Sequence, residues 1–94
     1  MAMSENQLVK YSQIMDDALK QVAKAVELET YGKYEYANER YANAMMTYKR
    51  AYDLACMYDD KRQNDAYKKY EECFDKCEEM AIKVLEQKDI ERDI

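Results

Sequence analysis

The 94-residue sequence contains no proline, no tryptophan, no histidine and a single glycine, Gly32. Without proline, no position inside a segment forces a helix to break. Without histidine the chain lacks the commonest general base and metal ligand. One glycine leaves nothing from which to build a glycine-rich phosphate loop. No run of residues approaches the roughly twenty apolar positions needed to span a bilayer, and no charged-then-apolar leader opens the chain. No block of Lys and Arg is present to follow a phosphate backbone, which argues against nucleic acid as a partner. The three cysteines, Cys56, Cys73 and Cys77, are an odd number in a chain read as unsecreted, so they are expected as reduced thiols.

Plentiful Ala, Glu, Lys, Met, Gln and Leu favour helix, because these side chains lose little freedom there. Ten tyrosines bring apolar rings whose hydroxyls need a partner or water. The net charge of −5 is unevenly spread: residues 59–94 carry eight basic and twelve acidic side chains, against four basic and three acidic over residues 31–58. An acidic third segment favours a partner bearing Arg or Lys.

Apolar periodicity predicts one domain over residues 1–94, made of three helices at about 5–29, 34–58 and 61–87, with a frayed tail over 88–94. Ser4 and Gln7 have the form of a capping box, as do Asp60 and Gln63. The first stripe is Leu8, Tyr11, Met15, Ala18, Val22 and Ala25, widened by Ile14, Leu19 and Val26. Gly32 follows, suited to a left-handed backbone at a helix end. In the second helix Tyr34, Ala37, Tyr41, Ala44, Tyr48, Ala51 and Ala55 alternate large and small, which lets helices approach closely while rings fill the gaps. The third stripe is Ala66, Tyr70, Cys73, Cys77, Met80 and Val84. Two short turns between long helices give an all-α, antiparallel three-helix bundle with an up-down-up path, of the spectrin-like kind.

The third helix carries a second stripe, Tyr67, Phe74, Ala81 and Leu85, flanked by Glu71 and Glu78. The second helix has a matching spare set, Met45 and Tyr52, with Cys56 nearby. Two readings stand side by side. The stripe broadens the core, or it lines a shallow groove between helices two and three, rimmed by Asp75 and Glu78, where an amphipathic helix lies as a fourth member.

The stretch Ala25-Val26-Glu27-Leu28-Glu29-Thr30-Tyr31-Gly32-Lys33-Tyr34-Glu35-Tyr36-Ala37, continuing through Tyr41 and Ala44, resembles the signature of MIT (microtubule-interacting and trafficking) domains. Lys69-Tyr70-Glu71-Glu72-Cys73-Phe74-Asp75-Lys76-Cys77-Glu78-Glu79-Met80 is similar to that family's third-helix run. Cys73 stands where the family usually has Tyr, Phe74 where it has Leu, Lys76 where it has Arg and Cys77 where it has Ala. The resemblance spans roughly residues 12–87. It implies an adaptor that binds short C-terminal segments of ESCRT-III subunits and brings an attached effector to endosomal, membrane-remodelling sites from the cytoplasm. One class of partner peptide lies as a helix between helices two and three, and another lies extended between helices one and three. For the first class the matched positions are Lys69, Phe74, Asp75 and Glu78. Phe74 packs on the partner's leucines, the two acids pair with its basic side chains, and Lys69 pairs with an acidic one. Tyr67, Ala81, Met45 and Tyr52 complete the expected peptide site. The second groove is lined by Leu19, Val26 and the far edge of helix three.

Neither catalysis nor a cofactor is expected. Ser4 and Ser12 have no base at hand, and the adjacent pairs Glu71/Glu72 and Glu78/Glu79 point apart on a helix. Cys73 and Cys77 share a face, yet read as small core residues rather than metal ligands. The chain is expected to be monomeric alone. The competing reading is a structural homo-oligomer joined through Tyr31, Tyr36 and Tyr58.

Overall fold

The computed structural model describes residues 2–93, with side chains through Ile90. Among the described residues there are three α-helices: α1 (Glu5–Thr30), α2 (Tyr34–Met57) and α3 (Arg62–Asp93). They form an elongated three-helix bundle, 60 × 18 × 12 Å in extent. No helix among the described residues is long and apolar enough to cross a membrane.

Local chemistry sets the helix ends. Ser4 Oγ accepts from the Gln7 N–H at 3.3 Å while Gln7 Oε1 accepts from the Ser4 N–H at 2.7 Å, closing the expected capping box. Gly32 takes φ +73° after α1, and the Lys33 N–H reaches back to the Leu28 carbonyl at 2.9 Å. The second turn differs from expectation. Asp60 does not pair with Gln63 through its side chain; its Oδ1 accepts from the Arg62 N–H at 2.9 Å and from the Arg62 guanidinium at 3.0 Å. The adjacent residue, Asp59, adopts φ +50°, a conformation that Asp tolerates better than most residues.

The central member is α2. Its backbone lies close along both neighbours, whereas the α1 and α3 backbones stay farther apart and meet mainly through side chains. Its predicted stripe is buried from Ala37 onward, and Tyr34 at its start is half-buried: Ala37, Ala44, Ala51 and Ala55 have no exposed surface, and Tyr41 and Tyr48 are nearly as enclosed. Three clusters stack along the bundle. One end holds Met3, Tyr11, Ile14, Ala51, Ala55 and Ala66. The middle holds Ala18, Ala44, Tyr48 and Cys73. The other end holds Ala25, Ala37, Tyr41 and Met80. Ile14, given a secondary place by periodicity, is buried, and Met15 is only half-buried.

The third helix continues to Asp93, well past the expected end near Gln87. Gln87 Nε2 donates to the Gly32 carbonyl at 3.3 Å, so Gln87 stands level with the α1–α2 turn. Residues 88–93 therefore project beyond the bundle as helix, where there is nothing to pack on. The apolar stripe stops there because the neighbouring helices stop, while the backbone hydrogen bonds run on. Ile90, considered with Ile94 as a segment folding back on the body, is exposed on this projecting helix; Ile94 lies outside the described residues.

Two substitutions test this packing. At Gly32 an added Cβ meets nothing within 4 Å, so Gly32→Ala strains only the backbone and is expected to lower stability by about 1 kcal/mol in urea unfolding. Ala44→Leu forces three further carbon atoms into a filled layer. It should cost more, roughly 2 kcal/mol by the same measurement.

Candidate functional site

Two seams flank α3, and the predicted site residues divide between them. A helix turns 100° per residue, so positions seven apart share an edge and positions five apart lie about 140° around. Tyr67, Phe74 and Ala81 therefore form one row, with Leu85 alongside. This row lies on the α2/α3 seam, as the contact of Tyr67 with Tyr52 fixes: their ring centroids are 5.4 Å apart at 48°. Tyr70 stacks behind Tyr67 at 6.1 Å. Met45 on α2 is half-buried against the middle core cluster.

The α3 row is exposed rather than folded into the core. Phe74 is 47 % and Tyr67 46 % accessible, and Ala81, Asp75 and Glu78 also face solvent. The structure thus brings Met45, Tyr52, Tyr67, Phe74, Ala81 and Glu78 along one side of the molecule, with Asp75 farther out on the same helix. Lys69 does not join them. It lies on the opposite edge of α3, paired with Glu72 at 3.7 Å, and borders the other seam.

That other seam, between α1 and α3, contains an open cavity of about 170 Å³. Leu19, Val22 and Val26 line it from α1, Tyr41 and Tyr48 from α2 behind, and Lys69, Glu72, Cys73 and Lys76 from α3. Leu19 is 59 % and Val26 47 % accessible. The cavity exists because the alanines of α2 hold both outer helices close to α2, while the exposed Leu19 and Val26 of α1 do not fill the space towards α3.

One polar junction ties α1 to α3 beside the cavity. Glu29 accepts the Tyr41 hydroxyl at 2.8 Å, and the ammonium groups of Lys76 and Lys83 stand 3.1 and 3.8 Å from its carboxylate. Glu79 supports both lysines, at 3.3 and 3.6 Å. Lys76 also lies over the Tyr41 ring at 5.6 Å, and Lys83 over the Tyr34 ring at 5.1 Å. Burial alone would raise the Glu29 pKa, but the Tyr41 hydroxyl and the two lysines outweigh it and hold the carboxyl below its ordinary value. Burial, then the Glu29 carboxylate, pushes the Tyr41 phenol upward. For Lys76, partial burial works against the charge and the Glu29 and Glu79 carboxylates prevail, raising its pKa.

This junction went unrecognised in the sequence because its partners are far apart along the chain. The available sign was the seven-residue spacing of Lys69, Lys76 and Lys83, which puts three cations on one edge of the third helix. The cysteines are quiet by comparison. Burial, with Cys77 beside it, pushes the Cys73 thiol up to about 11, and burial also raises Cys77. Cys73 is therefore held as the thiol near neutral pH.

No family model, curated protein or solved structure matches the chain.

The depressed pKa of Glu29 makes a signed prediction. The unfolded chain takes up a proton near pH 4.5 and the folded chain only at lower pH, so the junction stabilises the fold above that value and loses its effect as pH falls through it. Glu29→Gln should lower the urea midpoint at pH 7. The gap from the wild type should narrow as the pH falls below 4.5 and through the lower value of the folded carboxyl, beyond which both chains are neutral at this position.

Proposed function

We propose that this chain is a non-catalytic adaptor which captures short C-terminal peptides of ESCRT-III subunits and recruits an attached effector to endosomal membranes from the cytoplasm. The observation that carries the proposal is the exposed row Tyr67–Phe74–Ala81 beside Met45 and Tyr52, bordered by acids on α3. Exposed apolar side chains in a continuous row, rimmed by charge, are the usual mark of a protein-binding surface. The sequence supplies the rest of the case, through the resemblance of residues 12–87 to MIT domains.

In this reading a helical peptide lies along the α2/α3 seam. Its apolar residues cover Phe74 and Tyr67, and its Lys or Arg side chains meet Glu78, Glu71 and Asp75. The acidic rim attracts basic partners and excludes acidic ones. Lys69 has no part in this arrangement, since it borders the other seam. The α1/α3 cavity, with Leu19 and Val26 at its mouth, is a second seat suited to an extended peptide.

Fluorescence-anisotropy titration with synthetic C-terminal peptides of ESCRT-III subunits tests the proposal. Phe74→Asp should weaken binding of a helical peptide by at least about tenfold while the circular dichroism of the domain is retained. Loss through Leu19→Asp with Phe74→Asp silent would move the seat to the α1/α3 seam. An absence of binding by every peptide, together with mass that rises with concentration in sedimentation, would replace the adaptor with the homo-oligomer, for which the exposed Tyr31 and Tyr36 are the contacts to examine.

A further inference from the structure

The third seam, between α1 and α2, is free of the roles considered so far. Towards the Gly32 end it is bridged by Arg40, whose Nη1 donates to Gln21 Oε1 at 3.3 Å. Towards the opposite end it is open. Two adjoining hollows of about 260 and 270 Å³ lie there, and Lys10, Ile14 and Arg50 border both. Leu54 and Met57 add apolar surface to the first hollow, and Met57 is 74 % exposed at its rim.

Two cations and two carboxylates, Lys10, Arg50, Asp17 and Asp53, border this opening. Lys24, Lys49, Arg62, Lys69, Lys76 and Lys83 all have carboxylate partners. Lys10 and Arg50, like Lys20, Lys33, Arg40, Lys61 and Lys68, form no ion pair among the described residues, and these two come from different helices to the same hollows. Two acids are close by. Asp53 is engaged by Lys49 at 3.3 Å, and Asp17 borders only the second hollow, seven residues or about 10 Å along α1 from Lys10. A chain of net charge −5 thus presents, at one seam, two uncommitted cations over an apolar floor.

We propose that the open end of the α1/α2 seam docks an acidic segment of a partner protein, one that carries an apolar side chain beside its carboxylates. Lys10 and Arg50 donate to the carboxylates in charge-assisted hydrogen bonds. The apolar side chain covers Ile14, Leu54 and Met57 and excludes water from those bonds. Each hollow is smaller than the ~300–1,000 Å³ of an ordinary small-molecule site, a size that suits one or two side chains of a peptide. The partner's charge is opposite to that of a peptide on the acidic α3 rim. The two surfaces therefore select different segments, and this site stands independently of the ESCRT-III reading.

The test is selection from a displayed random peptide library against the wild-type domain, with Lys10→Glu/Arg50→Glu as the counter-target. Both side chains are exposed, so the double variant is expected to fold, and circular dichroism checks it; Lys10→Met/Arg50→Met serves if it does not. The expected result is a class of peptides pairing Asp or Glu with Leu, Ile or Phe. These should bind the double variant at least about tenfold more weakly than the wild type, bind Phe74→Asp unchanged, and shift the methyl resonances of Ile14 and Leu54. Selection that yields no such class, or peptides that bind the double variant equally well, would overturn the proposal.

Discussion

Close approach along α2 is the constraint on which the rest of the structure depends. Four alanines with no exposed surface alternate with two enclosed tyrosines, and both outer helices settle onto that pattern. A helix edge made of methyl groups allows a neighbouring backbone to come near, and the rings fill the space left between. Because α2 takes both neighbours, the α1 and α3 backbones stay apart and meet mainly through side chains, as where the Tyr11 hydroxyl donates to the Arg62 carbonyl at 3.1 Å. Their seam stays open over Tyr41 and Tyr48, and the Glu29 junction is what joins them at one end. That junction is polar and partly solvated, so its contribution is modest beside the apolar layers, and its geometric role is to set how α3 lies against α1 near the cavity.

The same arrangement distributes surface chemistry. Since α3 gives only one edge to α2, its flanks remain available. One flank carries Lys69, Lys76 and Lys83 towards α1, and the other carries Tyr67, Phe74 and Ala81 beside α2. The acids Glu71, Asp75 and Glu78 occupy the outward side. On the far side of the molecule, Lys10 and Arg50 bring unpaired cations to the α1/α2 seam beside Asp17 and Asp53. A small bundle thereby presents three seams of different character: a ring-lined one with an acidic rim, an open cavity bordered by Lys69, Glu72 and Lys76, and a cleft with two unpaired cations over aliphatic side chains. Under the proposed adaptor function, selectivity between partners comes from charge and from apolar anchors together.

Much of this was legible before the structure. The number of helices, the burial of every alanine on the second stripe, the Ser4 cap and the conformation of Gly32 follow from local rules, and local rules need only neighbouring residues. The exposed row Tyr67–Phe74–Ala81 was also legible, as apolar residues left over once the core stripe had been assigned. Three features were not. Apolar periodicity ends α3 too early, because it reports packing partners and the helix continues beyond the last partner. Lys69 was grouped with Phe74 because the motif resemblance joined them, although a five-residue separation sets them on opposite edges. The Glu29 junction depends on which edge of the third helix meets the first, a matter of bundle handedness and register that no single segment encodes.

The central claim is that α2 is the axis of stability and that the seams beside it are left free. Native-state hydrogen exchange, resolved by residue, measures this most directly. Amides of α2 from Tyr41 to Ala55 should exchange only through global unfolding, α1 and the body of α3 should open at lower free energy, and residues 88–93 should exchange close to the unfolded rate. Protection in α1 or α3 that outlasts α2, or a projecting segment as protected as the core, would contradict the account.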